Sequence, residues 1–155
     1  MGEFGSCTDR EGRAEVSAPS RILLDWKGER RFEAGREGKP PILLDGDGVV
    51  SPTPPDALLA ALAGCISVDV VDILAKRRTP VESYGVEILG ERADTIPRRF
   101  VHITLNITII GQGIDRAPAE NAIDLAVTKY CSVGASLDPG IPVVWNLSLN
   151  EPAAV

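Results

Sequence analysis

Two cysteines, Cys65 and Cys131, are the side chains of this sequence best suited to chemistry. Cys65 lies within the apolar segment LAGCISVDVVDIL, and Cys131 ends the segment AIDLAVTKYC; both segments have helical spacing. A thiolate can attack an electrophilic oxygen and become a sulfenic acid, which a second thiol converts to a disulfide. If the two helices pack together, the pair predicts a redox reaction of this kind.

Cys65 also has a structural interpretation, because free cysteine is among the most buried residue types and packs as a small hydrophobic side chain. Asp69 lies one turn further along the same helix face, where a carboxylate raises the pKa of a thiol. The helix dipole fades after the first turn and gives Cys65 little help. An activated Cys65 therefore needs a cation or hydrogen-bond donors from another segment.

The composition restricts the class of protein and its partners. The chain has 155 residues, 44% of them hydrophobic, which favours one domain with a substantial core. Its 22 acidic and 16 basic residues give a net charge of -6, which repels nucleic acid and anionic lipid. We therefore expect neither a nucleic-acid partner nor a membrane partner.

The cysteine count and the amino-terminal residues give further expectations. Three cysteines and one histidine, with no close cysteine pair, form neither a disulfide scaffold nor a zinc site, so we predict no metal and no bound cofactor. We see no signal peptide, and the longest uncharged stretch of the helical region, 57–68, is too short to span a bilayer, so a cytoplasmic protein is expected. We interpret residues 1–6, MGEFGS, as an expression scar and residues 13–150 as the domain.

The elements that must position the cysteines follow from periodicity and turn residues. Residues 13–37 predict two or three strands with a turn at Lys27–Gly28, and PPILLDGDG predicts a short strand closed by a turn. A helix of about twenty residues begins at residue 53 or 54 and ends at KRR. Its predicted buried face consists of Leu58, Leu59, Leu62, Ile66, Val70, Ile73 and Leu74.

The second half of the chain predicts strands on either side of another helix. Alternating apolar residues at 84–88 and 101–109 predict two strands in antiparallel pairing. Helical spacing resumes at Ala119, Ala122, Ile123, Ala126 and Tyr130, and Ser132 is available to cap a further helical turn. VVWNLSLN predicts a final strand, so the fold class is α+β.

Three segments together resemble the OsmC-like family, which includes the organic hydroperoxide resistance proteins. They are SPTPPDALLAALAGCISVDVVDILAKRR, IPRRFVHITLNITIIG and AIDLAVTKYCSV, and the resemblance covers roughly residues 20–150. It implies an α+β fold in which antiparallel strands wrap around a long central helix. It also implies an intertwined homodimer with each active site at the subunit interface.

The resemblance also implies roles for individual residues. Cys65 falls on the cysteine that attacks the peroxide, and Cys131 on the resolving cysteine. The family's peroxidases are re-reduced by a dithiol, typically protein-bound lipoamide, and they place a glutamate and an arginine beside the reactive thiol. Asp56 is the nearest counterpart of the glutamate. No arginine matches a motif, although five lie in the right part of the chain: Arg13, Arg21, Arg30, Arg31 and Arg36.

Two functions are compatible with these residues. The first is a thiol-dependent peroxidase that reduces organic hydroperoxides, with Cys65, Cys131 and Asp56 as its site. The second is a non-catalytic dimeric protein whose apolar pocket binds a small acyl or sulfur-containing ligand. The reactivity of the thiols at neutral pH separates the two functions.

Overall fold

The computed structural model describes residues 18–151, and the scar predicted at 1–6, Cys7 and Arg13 lie outside this range. Within it the predicted order of strands and helices is confirmed. The elements are β1 (Leu23–Trp26), β2 (Arg31–Gly35), β3 (Ile42–Asp45), α1 (Pro54–Lys76), β4 (Ser83–Arg92), β5 (Phe100–Ile110), α2 (Arg116–Leu125), a π-helical segment (Ala126–Tyr130), α3 (Ser132–Ala135) and β6 (Val143–Leu149).

Strands β1, β2 and β3 form an antiparallel sheet in sequence order. The turn predicted at Lys27–Gly28 joins β1 to β2, and Gly28 has a φ of 97°, which favours glycine. The register places only apolar residues on one face: Leu24, Trp26, Phe32, Ala34, Ile42 and Leu44. Much of this face is uncovered in the single chain, since Leu24 is 58% exposed and Trp26 67% exposed.

The turn predicted after β3 is organised by a buried carboxylate. Asp45 is only 2% exposed. Its side chain accepts hydrogen bonds of 3.0 Å from the backbone N–H groups of Asp47, Val49 and Val50. These bonds satisfy the buried charge and hold the pKa of Asp45 below its ordinary value. The turn thereby leads the chain into α1.

Helix α1 begins with a capping box. The Thr53 hydroxyl accepts a hydrogen bond from the Asp56 N–H, and the Asp56 carboxylate accepts one from the Thr53 N–H at 3.0 Å. The buried face consists of Leu62, Ile66, Val70 and Leu74, with Leu59 and Ile73 partly buried beside it. Leu58, predicted on this face, is 39% exposed because it lines an open apolar cavity instead of packing in the core. Length and hydropathy alone would let α1 cross a membrane, but this face packs in the protein core.

Strands β4, β5 and β6 form the second sheet, with β5 at its centre. The predicted antiparallel pairing of β4 with β5 is confirmed. The inward face of β5 consists of Ile103, Leu105, Ile107 and Ile109, which pack in one cluster with the buried face of α1. Strand β6 departs from the antiparallel expectation and runs parallel to β5. The reason is that α2 and α3 form a helical crossover, which returns the chain in its original direction.

The second helix changes its geometry before Cys131. Ala119, Ala122, Ile123 and Ala126 are buried as predicted. Residues 126–130 then form a π-helix, in which the Cys131 N–H donates to the Ala126 carbonyl at 2.9 Å. The wider turn changes the helical phase, so Tyr130 does not continue the buried face of this helix and is 49% exposed.

The capping box predicts the stability of α1. We expect Thr53→Ala to lower the free energy of unfolding by about 1 kcal/mol, because it removes the acceptor for the Asp56 N–H. Urea denaturation at fixed protein concentration measures the change. Thr95→Ala, at an exposed turn, is the control and should stay within about 0.5 kcal/mol of the wild type. Equal stability of all three proteins would contradict the cap assignment.

Candidate thiol site

The site is built where α1 meets the segment that begins at Cys131. Cys65 lies in the middle of α1 and is half-buried, whereas Cys131 precedes α3 and is 4% exposed. Both thiols are free, and each affects the ionisation of the other. The Cys65 Sγ also lies 3.9 Å from the Ser132 Oγ. The two helical segments therefore bring the predicted cysteines together.

The local backbone, at Cys131 itself and at Gly134, fixes the position of the Cys131 side chain. It has an extended conformation, with φ -66° and ψ 101°, between the π-helical segment and α3. Its Sγ accepts a hydrogen bond of 3.2 Å from the Gly134 N–H. The N-cap of α3 is therefore Cys131, and the expectation that Ser132 caps it is wrong. Ser132 is the first residue of the helix, and its hydroxyl points to Cys65.

Hydrogen-bond donors from the second segment lower the pKa of the Cys65 thiol. Burial is the largest single influence on Cys65 and by itself raises the pKa of the thiol. The Val133 N–H, the Cys131 thiol, and the hydroxyl and N–H of Ser132 act in the opposite direction. Together these donors hold the pKa of Cys65 below its ordinary value. Residues 131–133 thus supply donors of the kind that an activated Cys65 would need from another segment.

The pKa of Cys131 is shifted in the opposite direction. Burial is again the largest influence, and it raises the pKa of Cys131. The Gly134 N–H lowers the pKa, whereas the hydrogen bond to Cys65 and the charge on Cys65 raise it. The net effect is an increase. Of the two thiols, Cys65 is therefore the one that loses its proton more readily.

Asp56 is not brought to the thiols within the chain. It precedes Cys65 by nine residues of α1, which is roughly 13 Å along the helix axis. Hydrogen bonds from the Thr53 hydroxyl and N–H hold the pKa of its carboxyl below the ordinary value. Its contacts are those of a helix cap.

Three of the candidate arginines have acidic partners close to the first sheet. Arg21 lies 3.5 Å from Glu37, Arg30 contacts Asp47 at 2.6 Å, and Arg31 contacts Glu29 at 2.8 Å. No arginine is among the groups that shift the pKa of Cys65 in residues 18–151. In the same residues no group of three or more His, Cys, Asp or Glu side chains could hold a metal ion.

An apolar cavity of about 390 Å³ opens on the side of α1 that carries Cys65. It is lined by Leu58, Phe100, Ile103, Leu137 and Ile141, and Arg98 and Arg99 also border it. Leu58 precedes Cys65 by seven residues, so the cavity lies about two helical turns from the thiol. Its volume falls in the range of small-molecule sites.

Comparison with known proteins places this arrangement in a family. The family model described as OsmC-like protein matches residues 45–146, which include both cysteines. The chain belongs to the OsmC-like family. Protein YhfA of Escherichia coli strain K12 is 38% identical over 103 residues, which are 66% of this chain and 77% of the relative.

Solved structures share the fold of this chain. A hypothetical protein from Aquifex aeolicus VF5 superposes with a TM-score of 0.74 at 25% identity, covering 87% of this chain and 100% of that one. The organic hydroperoxide resistance protein OhrB of Bacillus subtilis has a TM-score of 0.58 at 13% identity, covering 84% and 98%. The second likeness shows the fold alone.

Sequence reasoning missed the donors that this OsmC-like chain directs at Cys65. They are the N–H groups of Ser132 and Val133 and the Ser132 hydroxyl, all of which directly follow Cys131. A serine after the second cysteine was the available signal. Only the packing of α3 on α1 shows that these groups meet Cys65.

The opposite pKa shifts predict two separate titration steps. In a Cys7→Ser background, the ultraviolet absorbance of the thiolates should rise in two steps, the first below and the second above the pH at which an ordinary thiol ionises. Cys65→Ser should remove the lower step and move the remaining one to lower pH, because the charge that opposes ionisation of Cys131 is lost. A single step near the ordinary value would contradict the site.

Proposed function

We propose that this protein is a thiol-dependent peroxidase that reduces organic hydroperoxides, with Cys65 as the attacking thiol and Cys131 as the resolving thiol. The observation that carries the proposal is the difference between the two cysteines. Cys65 is half-buried with a lowered pKa, and Cys131 is buried with a raised pKa. Membership of the OsmC-like family supports the same reaction class.

In the first step the Cys65 thiolate attacks the terminal oxygen of the hydroperoxide. An S–O bond forms and the O–O bond breaks, so the thiolate is oxidised to a sulfenic acid. The electron pair leaves on the alkoxide, which takes a proton from solvent and departs as the alcohol. The donors on 132–133 favour this step because they increase the fraction of Cys65 present as thiolate.

In the second step Cys131 attacks the oxidised sulfur of Cys65. A disulfide forms, and the sulfenic oxygen leaves as water with the proton that Cys131 releases. Oxidation of Cys65 to a neutral sulfenic acid removes the negative charge that raises the pKa of Cys131. Cys131 therefore becomes easier to ionise once Cys65 has reacted, which sets the order of the two steps.

The apolar cavity beside α1 supports an organic rather than an inorganic peroxide. Leu58, Phe100, Leu137 and Ile141 can bury an alkyl or acyl chain, whereas hydrogen peroxide gains nothing from such a surface. The same cavity is the observation that favours the alternative function, a dimeric protein that only binds an acyl or sulfur-containing ligand. The redox test below separates the two.

A homodimer is part of the proposal. The apolar face of the first sheet includes Leu24, Trp26 and Ile42, which are 58%, 67% and 59% exposed. Val68 on α1 is 63% exposed as well. Apolar surface of this extent is typical of an interaction site, and a second copy of the chain would cover it.

The disulfide must be reduced before another turnover. A dithiol reductant, such as a lipoyl group on a partner protein, would open it by thiol–disulfide exchange. A reducing cytoplasm supplies such dithiols. In this proposal Asp56 acts as the cap of α1 and takes no part in the chemistry.

A single-turnover experiment tests the peroxidase. Reduced protein is mixed with one equivalent of cumene hydroperoxide, quenched with an alkylating agent and mapped by mass spectrometry. We expect one equivalent of alcohol and a Cys65–Cys131 disulfide within seconds. Cys65→Ser should give neither product, and Cys131→Ser should accumulate a sulfenic acid that dimedone traps.

The control for this experiment is Cys7→Ser, which should react as the wild type does because Cys7 has no role in the proposal. Thiols that stay reduced for minutes in the wild type would overturn the peroxidase. Ligand binding in the apolar cavity would then be the remaining function.

Light scattering tests the dimer. We expect the wild type at twice the mass of one chain. Leu24→Asp should shift it towards the monomer, because a carboxylate on the apolar face cannot be buried without a partner. Leu23→Asp is the matched control, since Leu23 lies on the opposite face of the same strand. A monomeric wild type would contradict the dimer.

A further inference from the structure

The side chain of Ser132 does not serve as the cap of α3, the helix in which it lies. The sulfur of Cys131 caps α3, so the Ser132 hydroxyl is not needed there. The Ser132 carbonyl, rather than its hydroxyl, accepts a hydrogen bond of 2.7 Å from the Ser136 Oγ. The side chain is exposed and directed at Cys65, with 3.9 Å between the Oγ and the Sγ.

In the part of the chain that the structure describes, no cation influences the ionisation of Cys65. Two titratable groups lie beside it, the Cys131 thiol and, one turn further on α1, the Asp69 carboxylate, and neither becomes cationic. Lys129 of the π-helical segment contacts the Tyr130 ring at 5.5 Å. Within residues 18–151, no charged group of β3, β4, α2 or the π-helical segment shifts the ionisation of Cys65.

We propose that Ser132 is a catalytic residue whose hydroxyl donates a hydrogen bond to the Cys65 sulfur and takes the place of a cationic partner. This inference rests on the proposed function, because it assigns the activator of the attacking thiol. A hydroxyl donates a stronger hydrogen bond to a thiolate than to a thiol, so it favours the ionised form. The proton stays on the Ser132 oxygen throughout.

A neutral hydrogen-bond donor and a cationic partner predict different salt dependences for the reactivity of Cys65. The attraction between a thiolate and a cation is screened by salt, whereas a short-range hydrogen bond is much less sensitive. The reactivity of Cys65 should therefore change little between low and high salt. The backbone donors of 132–133 act with the hydroxyl and remain when it is removed.

The test is the pH dependence of Cys65 alkylation by iodoacetamide, mapped by mass spectrometry in a Cys7→Ser background. We expect Ser132→Ala to slow the reaction about tenfold at about pH 6, which corresponds to one unit in the titration midpoint, and to leave the plateau at high pH unchanged. Ser132→Thr retains the hydroxyl and should restore the wild-type profile. Ser136→Ala removes a hydroxyl that donates to the Ser132 carbonyl; it is the matched control and should not change the profile.

Three outcomes would overturn the inference. In the first, the Ser132→Ala profile superimposes on that of the wild type. In the second, the rate falls by the same factor at every pH, which indicates a structural role. In the third, high salt slows the wild-type reaction severalfold. The experiment contains no hydroperoxide, so a failed peroxidase reaction leaves its result unaffected.

Discussion

Cys131 holds its side chain against the residues that follow it, because its sulfur accepts a hydrogen bond from the Gly134 N–H. The chain is extended at this one residue between two helical segments, so the next N–H groups are free to point at α1. They reach Cys65, whose thiolate they stabilise. One local interaction at Cys131 thus positions the second thiol and presents the donors for the first.

The core supplies the rigidity that this site requires. The buried face of α1, from Leu62 to Leu74, packs with the inward face of β5, and Ala122, Ile123 and Ala126 complete the same cluster. Burial of each large aliphatic side chain contributes about 1.5–3 kcal/mol, so movement of α1 relative to the second helix is costly. Cys65 lies beside this face and its position is therefore fixed by packing.

Much of this arrangement could be predicted from local sequence. Thr53 and the apolar spacing defined α1, and the alternation along β5 defined its buried face, because both depend on neighbouring residues. The parallel direction of β6 depends on how the crossover packs, which no alternation reveals. Ser132 was the expected cap because serine is the better N-cap residue, but the extended backbone falls on Cys131.

The tertiary features of the site could not be predicted from sequence patterns, because they depend on contacts between distant segments. The sequence indicates a Cys65–Cys131 pair only if their helices pack together, and the resemblance assigns the two roles. The donors at Ser132 and Val133 depend on contacts between segments 67 residues apart. The position of Asp56 shows the converse. Its spacing from Thr53 marks a capping box, and that local signal agrees with its contacts in the structure.

The number of residues in the π-helical segment determines the direction in which the Cys131 side chain points. Its hydrogen bond joins residues 126 and 131, one residue further apart than in an α-helix. With the same number of residues in α-helical geometry, the chain would turn further before Cys131 and carry its sulfur away from Cys65. Exchanges among the exposed side chains of Thr128, Lys129 and Tyr130 leave the register intact. In this segment the number of residues is therefore under stricter constraint than their identity.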